Sequence, residues 1–211
     1  MADPNTQAFQ AYKKYYIDRD YEQVDLFRLL KDKFYISKAV YPGSYIHISP
    51  SFIYPYVMYI DSDKQAIRFF ESGSLTEIVK ARKEYPEETR IIFQGIDYRK
   101  PVEGYRGEFD LLISQYAGFI SGVCKPYLRV GGYLLVNNSH GDAGMAALDR
   151  DYQLIAAVHR RAGKYRLSTA ALDEYFVPKN ELSAPREFLL KRKKGIGYIK
   201  TATLYLFQRT R

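Results

Sequence analysis

Residues 41–52 read YPGSYIHISPSF, between a short apolar run and a second one, VMYID, that ends in Asp61. A buried strand, a turn that contains glycine and a second strand that ends in an acid are the usual frame of a nucleotide-type cofactor site. Gly43 allows a ligand to approach the backbone of the turn. Asp61 follows Gly43 by eighteen residues, a spacing that places its carboxylate where it can accept the hydroxyl groups of a ribose. The stretch therefore predicts a sheet that holds a cofactor.

Strand-like and helix-like segments alternate along the rest of the chain. The strand-like segments are nearly continuous apolar runs, whereas half-exposed strands alternate apolar and polar residues. Such runs, with helices between them, predict a mostly parallel sheet covered by helices on both faces, which is a three-layer α/β sandwich. Seven strands are expected, over residues 38–42, 57–61, 90–95, 109–115, 131–138, 152–160 and 198–209.

Helices are predicted before and between these strands. Amphipathic patterns mark residues 6–16 and 21–34, and Asp20 can cap the second of these helices. Asp63 can cap a short helix that follows the second strand. Residues 118–128 are predicted to form a further helix.

The length of 211 residues suits one domain with one hydrophobic core. We expect residues 1–211 to form a single domain, with residues 1–37 as a helical lead-in and residues 159–197 as an insertion before the last strand. The N-terminal segment lacks a signal-peptide core, and no stretch approaches the roughly 20 apolar residues of a membrane span. A soluble, cytoplasmic protein without a membrane partner is therefore expected.

Composition limits the chemistry of the chain. Cys124 is the only cysteine, which excludes an internal disulfide and a cysteine-based zinc cluster, and we expect no metal site. The net charge of +8 favours an anionic partner, either nucleic acid or a phosphorylated metabolite. The densest basic run, KRKK at residues 191–194, could bind phosphates or could form a solvated loop.

Small or polar residues follow the apolar runs at the carboxyl ends of five predicted strands. Ligands of open α/β sheets bind at this edge, so the pattern is typical of a site. Asp97 could accept a hydrogen bond from the exocyclic amine of an adenine, because an ionised carboxylate only accepts. The residues are Pro42, Gly43 and Ser44; Asp61; Gln94, Gly95 and Asp97; Ser114, Gln115 and Tyr116; and Asn137, Asn138, Ser139 and His140.

The order of these segments resembles the successive motifs of the class I S-adenosylmethionine-dependent methyltransferases. The segments AVYPGS, VMYIDSD, IIFQGIDYRKP, EFDLLISQYAGF and LRVGGYLLVNN carry the resemblance over residues 38–138. It implies a Rossmann-like fold whose final strand, within TATLYLFQR, runs antiparallel beside YQLIAAV. It also implies S-adenosylmethionine as the cofactor and methyl transfer as the activity.

The same resemblance implies a set of cofactor contacts. Gly43 would lie under the cofactor, Asp61 would bind its ribose, and Ile96 and Asp97 would hold its adenine. Residues 114–116 would face its methionine end. The implied cofactor-binding residues are Tyr41, Pro42, Gly43, Ser44, His47, Asp61, Ser62, Gly95, Ile96, Asp97, Ser114 and Gln115.

The first motif departs from the family pattern, which usually carries an acid and two or three glycines. Here Tyr41 replaces the acid, and Tyr45 and His47 stand where further glycines would be. Two interpretations stay open: the cofactor is bound in another way, or the site has lost it and the chain is a non-catalytic binding or scaffold protein. We favour binding, because Asp61 and Asp97 stand together at strand ends.

Methyl transfer needs few acid–base groups, because the sulfonium of the cofactor is already activated. His140 and Asp142 are the candidate acid–base residues, and His140 is the preferred base because a histidine side chain suits proton transfer near neutral pH. Tyr116 is a further catalytic candidate that could orient an acceptor. The sequence SQYA after the fourth strand differs from the Asn/Asp-Pro-Pro-Tyr/Phe motif of enzymes that methylate base amines. A small-molecule acceptor is slightly favoured, and RNA stays open. A nicotinamide-dependent oxidoreductase would need a G-x-G-x-x-G fingerprint, which is absent.

Overall fold

A computed structural model describes residues 6–180 and 185–211, arranged in two compact units that divide between Lys100 and Pro101. Each unit contains strands and helices, so the predicted α/β class is confirmed. Residues 181–184, within the predicted insertion, lie outside the described residues, as do residues 1–5 of the lead-in.

The N-terminal unit has a three-stranded parallel sheet in which β2 pairs with both β1 and β3. All five residues of β2 are buried, as are four of the five in β1. This burial explains the uninterrupted apolar runs in the sequence. Its elements in chain order are α1 (Gln7–Tyr12), a π-helical turn (Lys13–Ile17), α2 (Val24–Phe34), β1 (Lys38–Pro42), α3 (Pro50–Ile53), β2 (Tyr56–Ile60), α4 (Lys64–Phe70), α5 (Leu75–Arg82) and β3 (Arg90–Gln94).

The C-terminal unit has one parallel strand pair and an antiparallel extension. β4 and β5 are parallel, β8 lies antiparallel between β5 and β6, and β7 pairs with β6 in a hairpin. Its elements are β4 (Phe109–Ser114), α6 (Ile120–Val123), a 3₁₀ turn (Lys125–Tyr127), β5 (Leu128–Val136), α7 (Asp142–Ala147), β6 (Tyr152–Arg161), β7 (Lys164–Ser168), a second 3₁₀ turn (Leu172–Glu174), α8 (Pro185–Arg192) and β8 (Leu204–Arg209).

The antiparallel final strand is confirmed, since β8 pairs antiparallel with both β5 and β6. The count of seven strands is wrong, because β7 makes an eighth within the described residues. The predicted helix over residues 118–128 is also wrong in extent: α6 has four residues and is followed by a 3₁₀ turn that contains Pro126. The final strand begins at Leu204 instead of residue 198.

Of the caps predicted at Asp20 and Asp63, only the one at Asp63 is confirmed. The carboxylate of Asp63 accepts hydrogen bonds from the backbone N–H groups of Gln65 and Ala66, so it caps α4 as predicted. The prediction for Asp20 is wrong, because α2 begins at Val24 and its N-cap is Gln23, which has left-handed backbone geometry.

The described helices include none that is long and apolar enough to cross a membrane.

Candidate cofactor site

The turn after β1 is tied to the end of β2 by main-chain atoms. Gly43, at φ +64°, donates its N–H to the carbonyl of Ile60 at 2.7 Å, and this bond continues the parallel ladder past the strand. Two residues later the backbone N–H of Tyr45 donates to Oδ2 of Asp61 at 2.7 Å. Tyr45 has left-handed geometry at φ +51°, which a glycine would adopt without strain. The loop therefore keeps a glycine-like path at a position where the sequence has tyrosine.

The carboxylate of Asp61 is held by two backbone donors. Its Oδ2 accepts from Tyr45, and its Oδ1 accepts from the N–H of Asp63 at 2.8 Å. A carboxylate offers about four lone-pair positions, so each oxygen retains one for a further donor. Asp61 is half-buried, which leaves the group accessible to a ligand. A fixed carboxylate with two remaining acceptor positions suits two neighbouring hydroxyl groups.

The side chain of Tyr45 packs against the helical lead-in. Its ring packs edge-on against Tyr15, with centroids 5.3 Å apart, and its hydroxyl donates to Oε1 of Gln65 in α4. Burial raises the pKa of the Tyr45 hydroxyl above its usual range, with the hydrogen bond and charge of neighbouring Tyr15 acting in the same direction. The hydroxyl therefore stays protonated.

His47 lies in the core of the N-terminal unit, with 1% of its surface exposed. Its ring stacks on Tyr16 at a centroid distance of 4.5 Å. Nε2 lies 3.0 Å from the carbonyl oxygen of Glu22, which can only accept, so Nε2 carries the proton. Nδ1 then accepts from the hydroxyl of Tyr41 at 3.2 Å. Burial lowers the pKa of His47 to about 4, so the imidazole is neutral. Its hydrogen bond to Glu22 connects the loop to the lead-in.

The four other predicted contacts around this loop differ in exposure. Pro42 and Ser44 are buried, and the hydroxyl of Ser44 donates to the carbonyl of Tyr45 at 3.3 Å. Ser62 is exposed beside Asp61, whereas Tyr41 is 3% exposed and faces His47. Thus Gly43, Asp61 and Ser62 present groups to solvent at this edge, while the ring of His47 does not.

The end of β3 lies beside the end of β2, because the N–H of Asp61 donates to the carbonyl of Gln94 at 3.1 Å. Gly95 is exposed and Ile96 half-buried. The carboxylate of Asp97 accepts from both the backbone N–H and the guanidinium Nε of Arg99, each at 2.9 Å. The hydrogen bonds from Arg99 lower the pKa of Asp97 to about 2. An adenine amine would therefore have to compete with an exposed arginine for this acceptor.

In the C-terminal unit, Ser114 and Asp142 are brought together and buried. The Ser114 hydroxyl donates to Oδ2 of Asp142 at 2.5 Å. The same carboxylate accepts from the hydroxyl of Ser121 and from the backbone N–H groups of Ser121 and Ile120. Burial raises the pKa of Asp142, while these hydrogen bonds to the serines and the backbone act against the shift. The carboxylate joins the end of β4 to the start of α6.

Three further predicted residues, close in sequence to Ser114 or Asp142, lie in different environments. Gln115 is buried, Tyr116 is 60% exposed with φ +60°, and His140 is exposed in the loop between β5 and α7. The thiol of Cys124 is buried, and burial raises its pKa to about 12, which disfavours the nucleophilic thiolate form. Among the residues that the structure describes, no group of three or more His, Cys, Asp or Glu could hold a metal ion.

Two contacts could not be inferred from the sequence, although Asn137 itself was predicted among the polar residues at the strand ends. The guanidinium of Arg99 binds the carboxylate of Asp97, but in the sequence Arg99 resembles an ordinary charged turn residue. Asn137 follows β5, and its Oδ1 accepts from the N–H and the hydroxyl of Ser139. Its Nδ2 is buried and has no hydrogen-bond partner within the described residues. A buried amide donor without a partner is unusual, and only the folded chain reveals it.

Two solved structures share the fold over nearly the whole chain. A methyltransferase from Geobacter sulfurreducens is 13% identical, with a TM-score of 0.52 over 100% of this chain and 91% of its own. A protein from Thermotoga maritima, described as a SAM-dependent methyltransferase and possible histamine N-methyltransferase, is 9% identical, with a TM-score of 0.50 over 96% and 95%. No protein-family model matches the sequence, and no curated protein is similar enough to match it. The chain therefore has the fold of the class I S-adenosylmethionine-dependent methyltransferases.

Proposed function

We propose that this protein is an S-adenosylmethionine-dependent methyltransferase. The fold supports this proposal, and the arrangement at Asp61 carries it. A half-buried carboxylate at the end of β2 is held by the N–H groups of Tyr45 and Asp63, and each oxygen retains an acceptor position. Open α/β sheets bind nucleotide-like ligands at this edge, and an acid at this place binds the ribose.

The cofactor, when bound, supplies an activated methyl group that passes to a nucleophilic atom of the acceptor as the bond to sulfur breaks. The chain has to position the acceptor and, where needed, remove its proton. We assign the ribose to Asp61 and the backbone contact to Gly43. Gly95, Ile96 and Asp97 would contact the adenine, with Arg99 displaced from the carboxylate.

The glycine-poor first turn does not argue against binding. The turn follows a glycine-like path at Tyr45, and the side chains of Tyr45 and His47 are held by the lead-in. The proposed contacts from this loop are therefore main-chain atoms of residues 43–45. His47, whose two ring nitrogens are already bonded, is left out of the proposed set.

For the acceptor we propose a small molecule, and for the proton acceptor His140. His140 is exposed in the loop after β5, where an acceptor can reach it, and an imidazole can serve as a general base. Asp142 is assigned a positioning role, because its buried carboxylate is already bonded to two serines. Tyr116 is exposed and could contact the acceptor. The Thermotoga protein, named as a possible N-methyltransferase of histamine, is consistent with a small acceptor.

The test is calorimetric titration with S-adenosylmethionine and S-adenosylhomocysteine. We expect saturable binding that Asp61→Ala weakens at least about tenfold, a loss of roughly 1.4 kcal/mol. Asp25→Ala is the control, because Asp25 is an exposed carboxylate on α2. If wild type binds the ligand and Asp61→Ala binds it with the same affinity, the ribose is not bound by Asp61. Absence of saturable binding at millimolar ligand would favour a non-catalytic protein that has lost the cofactor.

A further inference from the structure

We infer that the loop after β5, together with the basic run at residues 191–194, forms a binding site for an anionic oxygen group, a phosphate or a carboxylate. As the site for an acceptor this inference rests on the proposed methyl transfer, whereas anion binding itself does not. The buried amide of Asn137 and the packing of the basic run against its loop carry the inference.

The first observation is the orientation of the Asn137 side chain. Its Oδ1 accepts from a backbone N–H, that of Ser139 at 3.3 Å, and from the Ser139 hydroxyl at 2.8 Å. Exchanging the amide oxygen and nitrogen would point the NH₂ group at another N–H, so the assignment is fixed by the bonding pattern. With this orientation Nδ2 has no hydrogen-bond acceptor among the described residues.

An unpartnered donor in this position has an energetic cost. Asn137 is only 7% exposed, and leaving a buried donor without a hydrogen bond is unfavourable. The residue lies at the carboxyl end of β5, where its N–H donates to the carbonyl of Ser114 at the end of β4. This is the edge of the parallel pair at which α/β sheets bind ligands. A ligand oxygen that gains access to Nδ2 at this edge would supply the missing hydrogen-bond acceptor.

The second observation places the basic run next to this loop. The segment after α8 lies so close to residues 138–141 that a side chain at Gly195 would collide with the loop. A Cβ added at Gly195 would lie 2.3 Å from the carbonyl oxygen of Asn138, and one at Gly141 would lie 3.1 Å from the carbonyl oxygen of Lys194. The amide of Asn138 also reaches the carbonyl of Ile196 at 3.5 Å. The run is thus anchored at the end of β5.

The charge of the run is not neutralised by the described chain. Lys191, Lys193 and Lys194 are exposed, and none forms an ion pair with a carboxylate in residues 6–180 or 185–211. Cations on an anchored segment attract an anion, and the amide supplies a directed hydrogen bond. A helix C-terminus also favours cations, but that accounts for Lys191 and Arg192 in the last turn and not for Asn137.

The site differs from the other basic surface of this unit. The hairpin of β6 and β7 places Arg161 opposite Lys164 and His159 opposite Arg166, and among the described strands β7 pairs only with β6. Cationic side chains commonly protect such edge strands from pairing with other chains. The hairpin charges therefore need no ligand, and they provide a charge-matched control.

The experiment is an NMR titration of the apo protein with inorganic phosphate and, separately, with acetate. The side-chain amide signal of Asn137 is assigned by its loss in Asn137→Ser. We expect this signal to shift saturably with at least one anion. In Lys193→Asn/Lys194→Asn the affinity should fall at least about tenfold, roughly 1.4 kcal/mol. In Lys164→Asn/Arg166→Asn, which removes the same charge from β7, it should be unchanged. A response to phosphate alone would identify a phosphorylated acceptor, and one to acetate alone a carboxylate.

Two results would overturn the inference. One is no saturable shift up to roughly 10 mM anion, ten times a millimolar Kd. The other is equal weakening in the two double variants, which would show a response to overall charge only. Titration of the same samples with S-adenosylhomocysteine separates the two proposals. Cofactor binding without an anion response would remove the anion site alone, and the reverse would remove the methyltransferase proposal alone.

Discussion

The backbone N–H of Tyr45 donates a 2.7 Å hydrogen bond to the carboxylate of Asp61, so the turn after β1 is tied to the end of β2 through the main chain. This bond exists whatever side chain stands at position 45. It explains how a turn with one glycine keeps the path expected of a glycine-rich turn. It also leaves the carboxylate with acceptor capacity for a ligand.

Replacing Tyr45 with glycine should therefore leave cofactor affinity nearly unchanged. We expect Tyr45→Gly to alter the Kd for S-adenosylhomocysteine by less than about threefold, or ~0.6 kcal/mol, because the ring packs on Tyr15 and the bond to Asp61 comes from the backbone N–H. Calorimetry on Tyr45→Gly and on the milder Tyr45→Phe measures this. Tenfold tighter binding in Tyr45→Gly alone would mean that the ring occupies the place of the ligand.

The ion pair at the end of β3 should restrain adenine binding. Arg99 occupies both oxygens of Asp97, and the pair is exposed, so it can be displaced. We expect Asp97→Ala to weaken S-adenosylhomocysteine binding about threefold to tenfold, and Arg99→Ala not to weaken it. The pKa of Asp97 is about 2, so neither effect should depend on pH between 5 and 8. Weakening by Arg99→Ala would show that the guanidinium itself contacts the ligand.

Stability should depend on pH through His47. Its pKa is about 4 in the folded protein, below the ordinary value of 6.5, because it is buried. The unfolded chain therefore binds the proton first as pH falls, and the stabilising contribution is complete above pH 6.5 and lost towards pH 4. We expect wild type to lose about 3 kcal/mol more free energy of unfolding over this range than His47→Phe. Parallel loss in both proteins, measured by urea unfolding, would contradict the buried neutral assignment.

Asp142 should prove to be a stabilising residue. Removing its carboxylate leaves the buried hydroxyls of Ser114 and Ser121 and two buried backbone N–H groups without their hydrogen-bond acceptor. We expect Asp142→Ala to lower the free energy of unfolding by at least about 3 kcal/mol, and the control Asp173→Ala, at an exposed carboxylate, by less than about 0.5 kcal/mol. Chemical denaturation measures both. An Asp142→Ala protein of normal stability that lacked methyl transfer would restore a catalytic role to this aspartate.

The strands could be predicted because burial on both faces leaves a direct trace in the sequence. The apolar run that ends at Asp61 predicted β2, and the carboxylate after it lies at the edge where we propose the site. β7 could not be predicted in this way. Its sequence, KYRLS, belongs to a strand that pairs on one side only, so polar and charged residues dominate and no apolar run forms. The predicted helix at 118–128 failed because glycines and Pro126 limit α6 to four residues.

For the candidate site, the sequence predicts residue types at strand ends but not the contacts that these residues make. Asp61 could be named from its spacing to Gly43. The burial of His47 could not, because its partner is the carbonyl of Glu22, a main-chain atom brought near by the lead-in. The same holds for Asn137: its Oδ1 accepts a hydrogen bond from the Ser139 hydroxyl, and this orientation leaves Nδ2 without a partner among the described residues. Long-range contacts of this kind leave no local pattern.

The central claim is that S-adenosylmethionine binds at the Asp61 carboxylate. An NMR titration of the wild-type protein with S-adenosylhomocysteine tests it most directly, through the backbone amides of Tyr45 and Asp63 that donate to this carboxylate. We expect both amide signals to shift saturably, with the Kd that calorimetry gives. Saturable binding that leaves both signals unmoved, or no binding at millimolar ligand, would contradict the claim.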